Sequence, residues 1–249
     1  MKYINKFNQH TAYTEYETSG NMIKPNVSYC VDNDDVHYNP IDPYGGHDYV
    51  EIAGLKWATM NIGANSVTDA GLRFQWGDAQ GYTASQVGSG EGKKYFAWAD
   101  YKYGNGTSAP GATGMTKYNA TDGLSTLEAA DDAAVANWGG SWRMPTTAEF
   151  QALGEAVNTA WTADYQGSGV SGIVCTDKTD SSKTLFFPAA GRCFNGSVSN
   201  VGTYGYYWSG SLYAGDRQRA YDLGFYSGSV FWDGDVNRYY GNSVRPVAD

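Results

Sequence analysis

The chain has 249 residues and a formal charge of −9, with 17% charged residues, 32 Gly, 21 Tyr and 8 Trp. That length holds one large domain or two smaller ones, with a core that needs no covalent staples. The aromatic content excludes a disordered chain, the acidic balance argues against nucleic acid as a partner, and no apolar run approaches the ~18–20 residues that span a membrane.

The opening residues Met1 to His10 are polar and lack an apolar stretch or a small-residue cleavage site, so no secretory leader is expected there. Residues 1–46 are rich in Tyr, Asn and Asp, with a candidate strand at Asn26 to Val31 and an acidic run at Asp32 to Asp35. The breakers Pro40, Pro43, Gly45 and Gly46 then mark a boundary. Two parts are expected: a docking extension over 1–46 and a larger domain over 47–249.

Within the second part, Val50 and Ile52 alternate with polar residues before Ala53-Gly54, which predicts a hairpin over Asp48 to Trp57. Leu72 to Gly77 reads as a strand. Residues 78–122 read as a long loop region anchored by Phe96, Trp98, Tyr101 and Tyr103. Ser125 to Glu128 forms a capping-box pattern and predicts a helix to about Asn137, stopped by Gly139-Gly140. Thr146 to Glu149 repeats the pattern, and Phe150, Leu153 and Val157 give the second helix one apolar stripe. Short strands separated by turn residues follow: Gly172 to Thr176, Thr184 to Phe187, Tyr206 to Ser209, Ala220 to Tyr226, Val230 to Trp232 and Ser243 to Val247. The fold class is therefore α+β, with two helices packed on small antiparallel sheets and long loops. The helices are expected on opposite sides or ends of a sheet, and the first and last strands of the domain close together.

Little in the sequence suggests catalysis. Cys30, Cys175 and Cys193 form no CxxC pair and read as inert buried thiols, although Cys175 and Cys193 would pair if the fold brought them together. No His follows His47, so neither a base for a thiol nor a histidine metal cluster is expected. Trp232-Asp233-Gly234-Asp235 supplies only part of a hard-oxygen calcium cage. No catalytic residue, metal ligand or cofactor is assigned.

Several long motifs resemble a known family. Gly54 to Asn61, Phe74 to Asp78, Asp131 to Ala134 with Trp138 to Thr146, Phe187 to Arg192, and Gly241 to Val247 are similar to bacterial domains with the C-type lectin fold, in the branch of the formylglycine-generating enzymes. Tyr207 to Ser209, Ala220 to Phe225 and Arg238 to Gly241 further resemble the variable region of diversity-generating retroelement proteins. In that family a template repeat is copied with its adenines randomised, mostly in Asn codons. Such codons cannot yield Lys, Glu, Gln, Met or Trp. No Lys follows Lys183 and no Glu follows Glu155, while Gln218 and Trp232 must be fixed.

The resemblance implies a C-type lectin-like domain over 47–249 with its variable region at about 204–242. It implies a phage tail protein of the virion that adheres to a host cell-surface protein or glycan. The opening segment would meet other tail proteins, and a homotrimer is the assembly suggested. The alternative is a bacterial surface or secreted lectin-like adhesin that binds glycans. The strand pleat places Tyr221, Leu223 and Phe225 in the core and exposes Asp222, Gly224 and Tyr226. Trp208, Val244 and Val247 join the core, with Arg245 as a buried structural arginine. The ligand-binding residues expected are Tyr204, Tyr206, Tyr213, Asp216, Arg217, Asp222, Tyr226, Phe231, Asp233, Asp235, Asn237, Tyr239 and Tyr240. Their Tyr-rich, polar composition is that of a paratope.

Overall fold

The computed structural model describes residues 44–249 in full and, before them, the strand backbones within residues 3–40. The chain divides into two compact units, Met1–Gly46 and His47–Asp249. In the first, β1 (Tyr3–Phe7), β2 (Ala12–Tyr16), β3 (Val27–Asp32) and β4 (Asp35–Pro40) form an antiparallel meander in chain order.

The second unit opens with the predicted hairpin, β5 (Tyr49–Ile52) and β6 (Leu55–Ala58). Ala53 and Gly54 both take positive φ, the backbone that a tight two-residue hairpin requires. The last strand, β15 (Val247–Ala248), pairs antiparallel with β6 through Val247 and Trp57. The two ends of the domain are thus hydrogen-bonded together, as expected.

The first predicted helix starts later than its capping pattern suggests. Ser125 to Leu127 instead run extended beside β12 (Tyr204–Leu212), with Leu127 N donating to Gly210 O and Leu212 N to Ser125 O. The helix α1 (Ala133–Trp138) begins at Asp132. One Asp132 oxygen accepts from Ala134 N and Val135 N, and the other from Met144 N. A carboxylate satisfying three amides, two of them buried, makes a stronger start than a serine on an exposed turn. The second helix, α2 (Thr147–Ala156), follows its capping box: Glu149 accepts from Thr146 N and is held bidentately by Arg143.

Val157, read as the end of the helical stripe, instead opens β7 (Val157–Thr162). This strand joins β8 (Gly172–Asp177) and β9 (Thr184–Pro188) in one antiparallel sheet. A small hairpin, β10 (Arg192–Phe194) and β11 (Ser197–Ser199), leads into β12. Then β13 (Arg219–Tyr226) and β14 (Ser229–Asn237) complete a three-stranded sheet in the order β12-β13-β14.

That sheet separates two cores. Tyr207, Leu223 and Phe225 pack with Phe150 and Leu153 of α2. Trp208, Leu212 and Ala220 pack with Ala133 and Ala134 of α1, Trp76 and Val244. The helices therefore sit on opposite faces of one sheet. Tyr221 departs from expectation: it is only half-buried and stands edge-on to Tyr213 instead of entering a core. Arg245 is buried as expected, donating to Asn61 Oδ1 and to the carbonyls of Ala58 and Phe186. Cys175 and Cys193 are both buried and free, so they do not pair. The side chain of Cys30 lies outside the described residues.

Two glycines on neighbouring strands give opposite expectations. A Cβ at Gly205 would lie 2.0 Å from the Phe225 ring, whereas one at Gly224 would meet nothing within 4 Å. Gly205→Ala should destabilise by at least ~1–3 kcal/mol through overpacking. Gly224→Ala should be neutral or stabilise by ~0.4–1 kcal/mol, through the unfolded chain. Urea unfolding of both variants measures the contrast.

Candidate functional site

Toward one end of the β12–β14 sheet, the face that carries Trp208 and Ala220 leaves the core and becomes aromatic surface. Register fixes which side chains meet there: Tyr204 lies opposite Tyr226, and Gly224 lies between Tyr206 on one side and Phe231 on the other. Tyr204 stacks on Tyr206 with ring centres 6.0 Å apart, and Tyr226 contacts both Tyr204 and Phe231. Tyr204 and Phe231 are 38% and 50% exposed, large values for rings carried on a rigid strand. Four expected residues therefore form one contiguous surface.

Arg192 extends it. The Gly191 turn, at positive φ, leads into β10, whose alternation buries Cys193 and leaves Arg192 and Phe194 half-exposed. The guanidinium lies 4.6 Å from the ring centres of both Tyr206 and Tyr240 and 5.4 Å from that of Phe194. Tyr240 contacts Tyr239, which packs on Trp98. Tyr239 and Tyr240 thus belong to the surface as expected. Arg192, Phe194 and Trp98 were missed as site residues. A signal did exist in the Arg-x-Phe alternation around a buried Cys, but nothing in the sequence aligned it with residues 204–240.

Asp222 corrects the sequence reading. The pleat does put it on the aromatic face, but it is only 2% exposed, because it lies between Trp208 and Gly234 where that face descends into the core. Its Oδ2 is buried with no hydrogen-bond partner among the described residues. Burial pushes its carboxyl up to about 7, partly offset by the charge of nearby Arg192. The two charges influence each other without forming an ion pair.

The remaining expected residues lie elsewhere. Asp235 sits opposite Tyr221, on the other face, and pairs with Arg219 at 2.5 Å. Tyr213 flanks the same arginine. Asp216 and Arg217 lie in the β12–β13 connection, where Asp216 accepts from Gln218 N and Arg217 donates to Leu124 O. A bulge in β14 turns Asp233 toward α2, where Gln151 donates to it across a cleft of about 530 Å³ floored by Trp232. Asn237 ends β14, beside Tyr239. The 13 expected residues are thus divided between two faces and a connecting turn.

Burial raises the Cys175 and Cys193 thiols to about 12 and about 11, which leaves little thiolate at neutral pH. No group of three or more His, Cys, Asp or Glu gathers among the described residues, and no described helix is long and apolar enough to cross a membrane.

The Asp222 carboxyl makes stability depend on pH in a defined window. Below pH ~4 it is protonated in both folded and unfolded chains. Between its ordinary value of 3.8 and its folded value of about 7, the unfolded chain ionises first, so stability falls as pH rises. Asp222→Asn removes this loss. Its stability relative to the parent should grow between pH 4 and 7 by up to ~4 kcal/mol and level off above pH ~8, as read by urea unfolding across that range. No protein-family model, curated protein or solved structure matches the chain.

Proposed function

We propose that residues 47–249 form a non-catalytic, hypervariable ligand-binding domain of the diversity-generating retroelement class, on a C-type lectin-like fold. Its role is adhesion to a host cell-surface molecule at the receptor-binding end of a phage tail, with the opening segment joining the other tail proteins. The observation that carries this reading is the aromatic surface of Tyr204, Tyr206, Tyr226 and Phe231 on a sheet whose Tyr207, Trp208, Leu223 and Phe225 are locked in two cores. Rigid exposed tyrosines give large contact area at low entropic cost, and a few such anchors carry most of the energy of an interface. The frame beneath them is built on Trp208, Leu223 and Phe225, all fully buried.

Two measurements test the reading. DNA flanking the gene should encode a reverse transcriptase and hold a template repeat that differs from codons 204–242 mainly at adenines. Absence of both would overturn the retroelement assignment. A library randomised at Tyr204, Tyr206, Tyr226 and Phe231 should melt mostly within ~0.5 kcal/mol of the parent. Trp208→Ala should lose ~3–5 kcal/mol. If most library members melt as early as Trp208→Ala, the surface is part of the frame and the display reading fails.

A further inference from the structure

The cleft between α2 and β14 is a second recess, which shares only Phe231 with the aromatic surface. Gln151, Gly154 and Glu155 of α2 line one side, and residues 230–233 of β14 line the other. Its volume of about 530 Å³ falls within the range of small-molecule sites. A glycine shapes its floor. A Cβ at Gly154 would stand 2.6 Å from Cε2 and Nε1 of Trp232 and 2.7 Å from Cδ1, so one face of the pyrrole ring lies directly over the helix backbone. Glycine is less favourable than alanine in a helix interior. Here it makes room for the indole.

The charge in this recess is one-sided. Glu155 and Asp233 both line it, and no Lys, Arg or His does. Neither carboxylate has an ion-pair partner among the described residues. Gln151 donates to Asp233 Oδ2 at 3.3 Å, which leaves Asp233 Oδ1 and both Glu155 carboxylate oxygens without a protein donor among the described residues. The nearby Lys178 donates to the Glu155 carbonyl and not to its carboxylate.

These features restrict the ligand. An anion would be repelled by both carboxylates. A metal ion would find too few ligands, since no group of three or more His, Cys, Asp or Glu gathers among the described residues. A neutral apolar molecule would strip water from two carboxylates and return no hydrogen bond. An organic cation meets every condition. A primary ammonium has three N–H donors for the three open oxygens, and its carbon stem can lie on aromatic rings while the charge stays at the carboxylates. Indole is also the ring that attracts a cation most strongly.

We propose that the cleft between α2 and β14 binds an alkylammonium group, held between Glu155 and Asp233 and against the rings of Trp232 and Phe231. A free amine and a lysine side chain both present this group. The site does not rest on the retroelement assignment.

The test is a titration of the ¹⁵N-labelled full chain, read at the indole N–H signal of Trp232, which is assigned by its loss in Trp232→Phe. The probes are n-butylammonium, the blocked peptide acetyl-Gly-Lys-Gly-amide, and the same peptide with uncharged norleucine in place of lysine, at millimolar concentration. At least one of the two cationic probes should shift the signal saturably, and the norleucine peptide should not. Added salt should weaken the binding. Glu155→Gln combined with Asp233→Asn should weaken it roughly ten-fold while melting like the parent, because both side chains are exposed. A shift with butylammonium means that a free amine suffices. A shift with the lysine peptide alone means that the ligand is a side chain of a partner protein. No saturable shift with either cation, an equal shift with the norleucine peptide, or undiminished binding by the double variant would overturn the proposal. The genes flanking this one are read separately, so failure of the cation site and failure of the retroelement reading are told apart.

Discussion

Buried carbonyls without secondary-structure partners are the constraint on which this fold depends. Much of the second unit is irregular, and its loops run through the interior, where every C=O requires a donor. Arginines supply many of them. Arg238 donates to the carbonyls of Lys117, Tyr118 and Arg217 and to the Tyr101 hydroxyl. Arg245 serves Ala58 and Phe186, and Arg73 serves Ala70 and Ala190. Each guanidinium has five donors in a planar fork, so one side chain can hold several strands of loop at once. Arg238 and Arg245 also lie against aromatic rings, which replace part of the lost hydration of the cation.

A single carboxylate completes this loop-binding network. Asp131 accepts from Lys102, Lys117, Tyr103 and Tyr118, and so fixes residues 101–118 to the start of α1. Burial alone would raise its carboxyl, but the four donors outweigh burial and hold it well below the usual carboxylate range. Tyr101 links the two systems, accepting from Arg238 and donating to Trp76 O. The long loop region is therefore held by side chains in place of ladder hydrogen bonds.

Asp222 and Asp131 show how the same residue type takes opposite roles. Asp131 is buried and fully partnered, and it stabilises the frame. Asp222 is buried with an unpartnered oxygen, and it weakens the fold once ionised. The surrounding frame tolerates this because its two cores lie on both faces of the same sheet and hold the strand at Leu223 and Phe225.

The amino-acid sequence by itself determined the periodic features. The β5–β6 hairpin follows from Ala53-Gly54, α2 from its Thr146–Glu149 box, and the cores from the alternation along β12 and β13. These depend on neighbours within a few residues, where backbone sterics and capping chemistry decide. Other features required tertiary structure. Ser125 carries a helix-start pattern but runs extended, because β12 offers its backbone partners. Asp222 follows the pleat correctly yet is buried, because Trp208 and Gly234 come from strands that only the sheet brings beside it. Asp233 leaves the expected surface because of a bulge, which no alternation in sequence reveals. Arg192 reaches the rings of Tyr206 and Tyr240 only when β10 folds against the sheet that carries them. Local chemistry set the elements, while the meeting of distant strands decided which polar groups were satisfied and which were not.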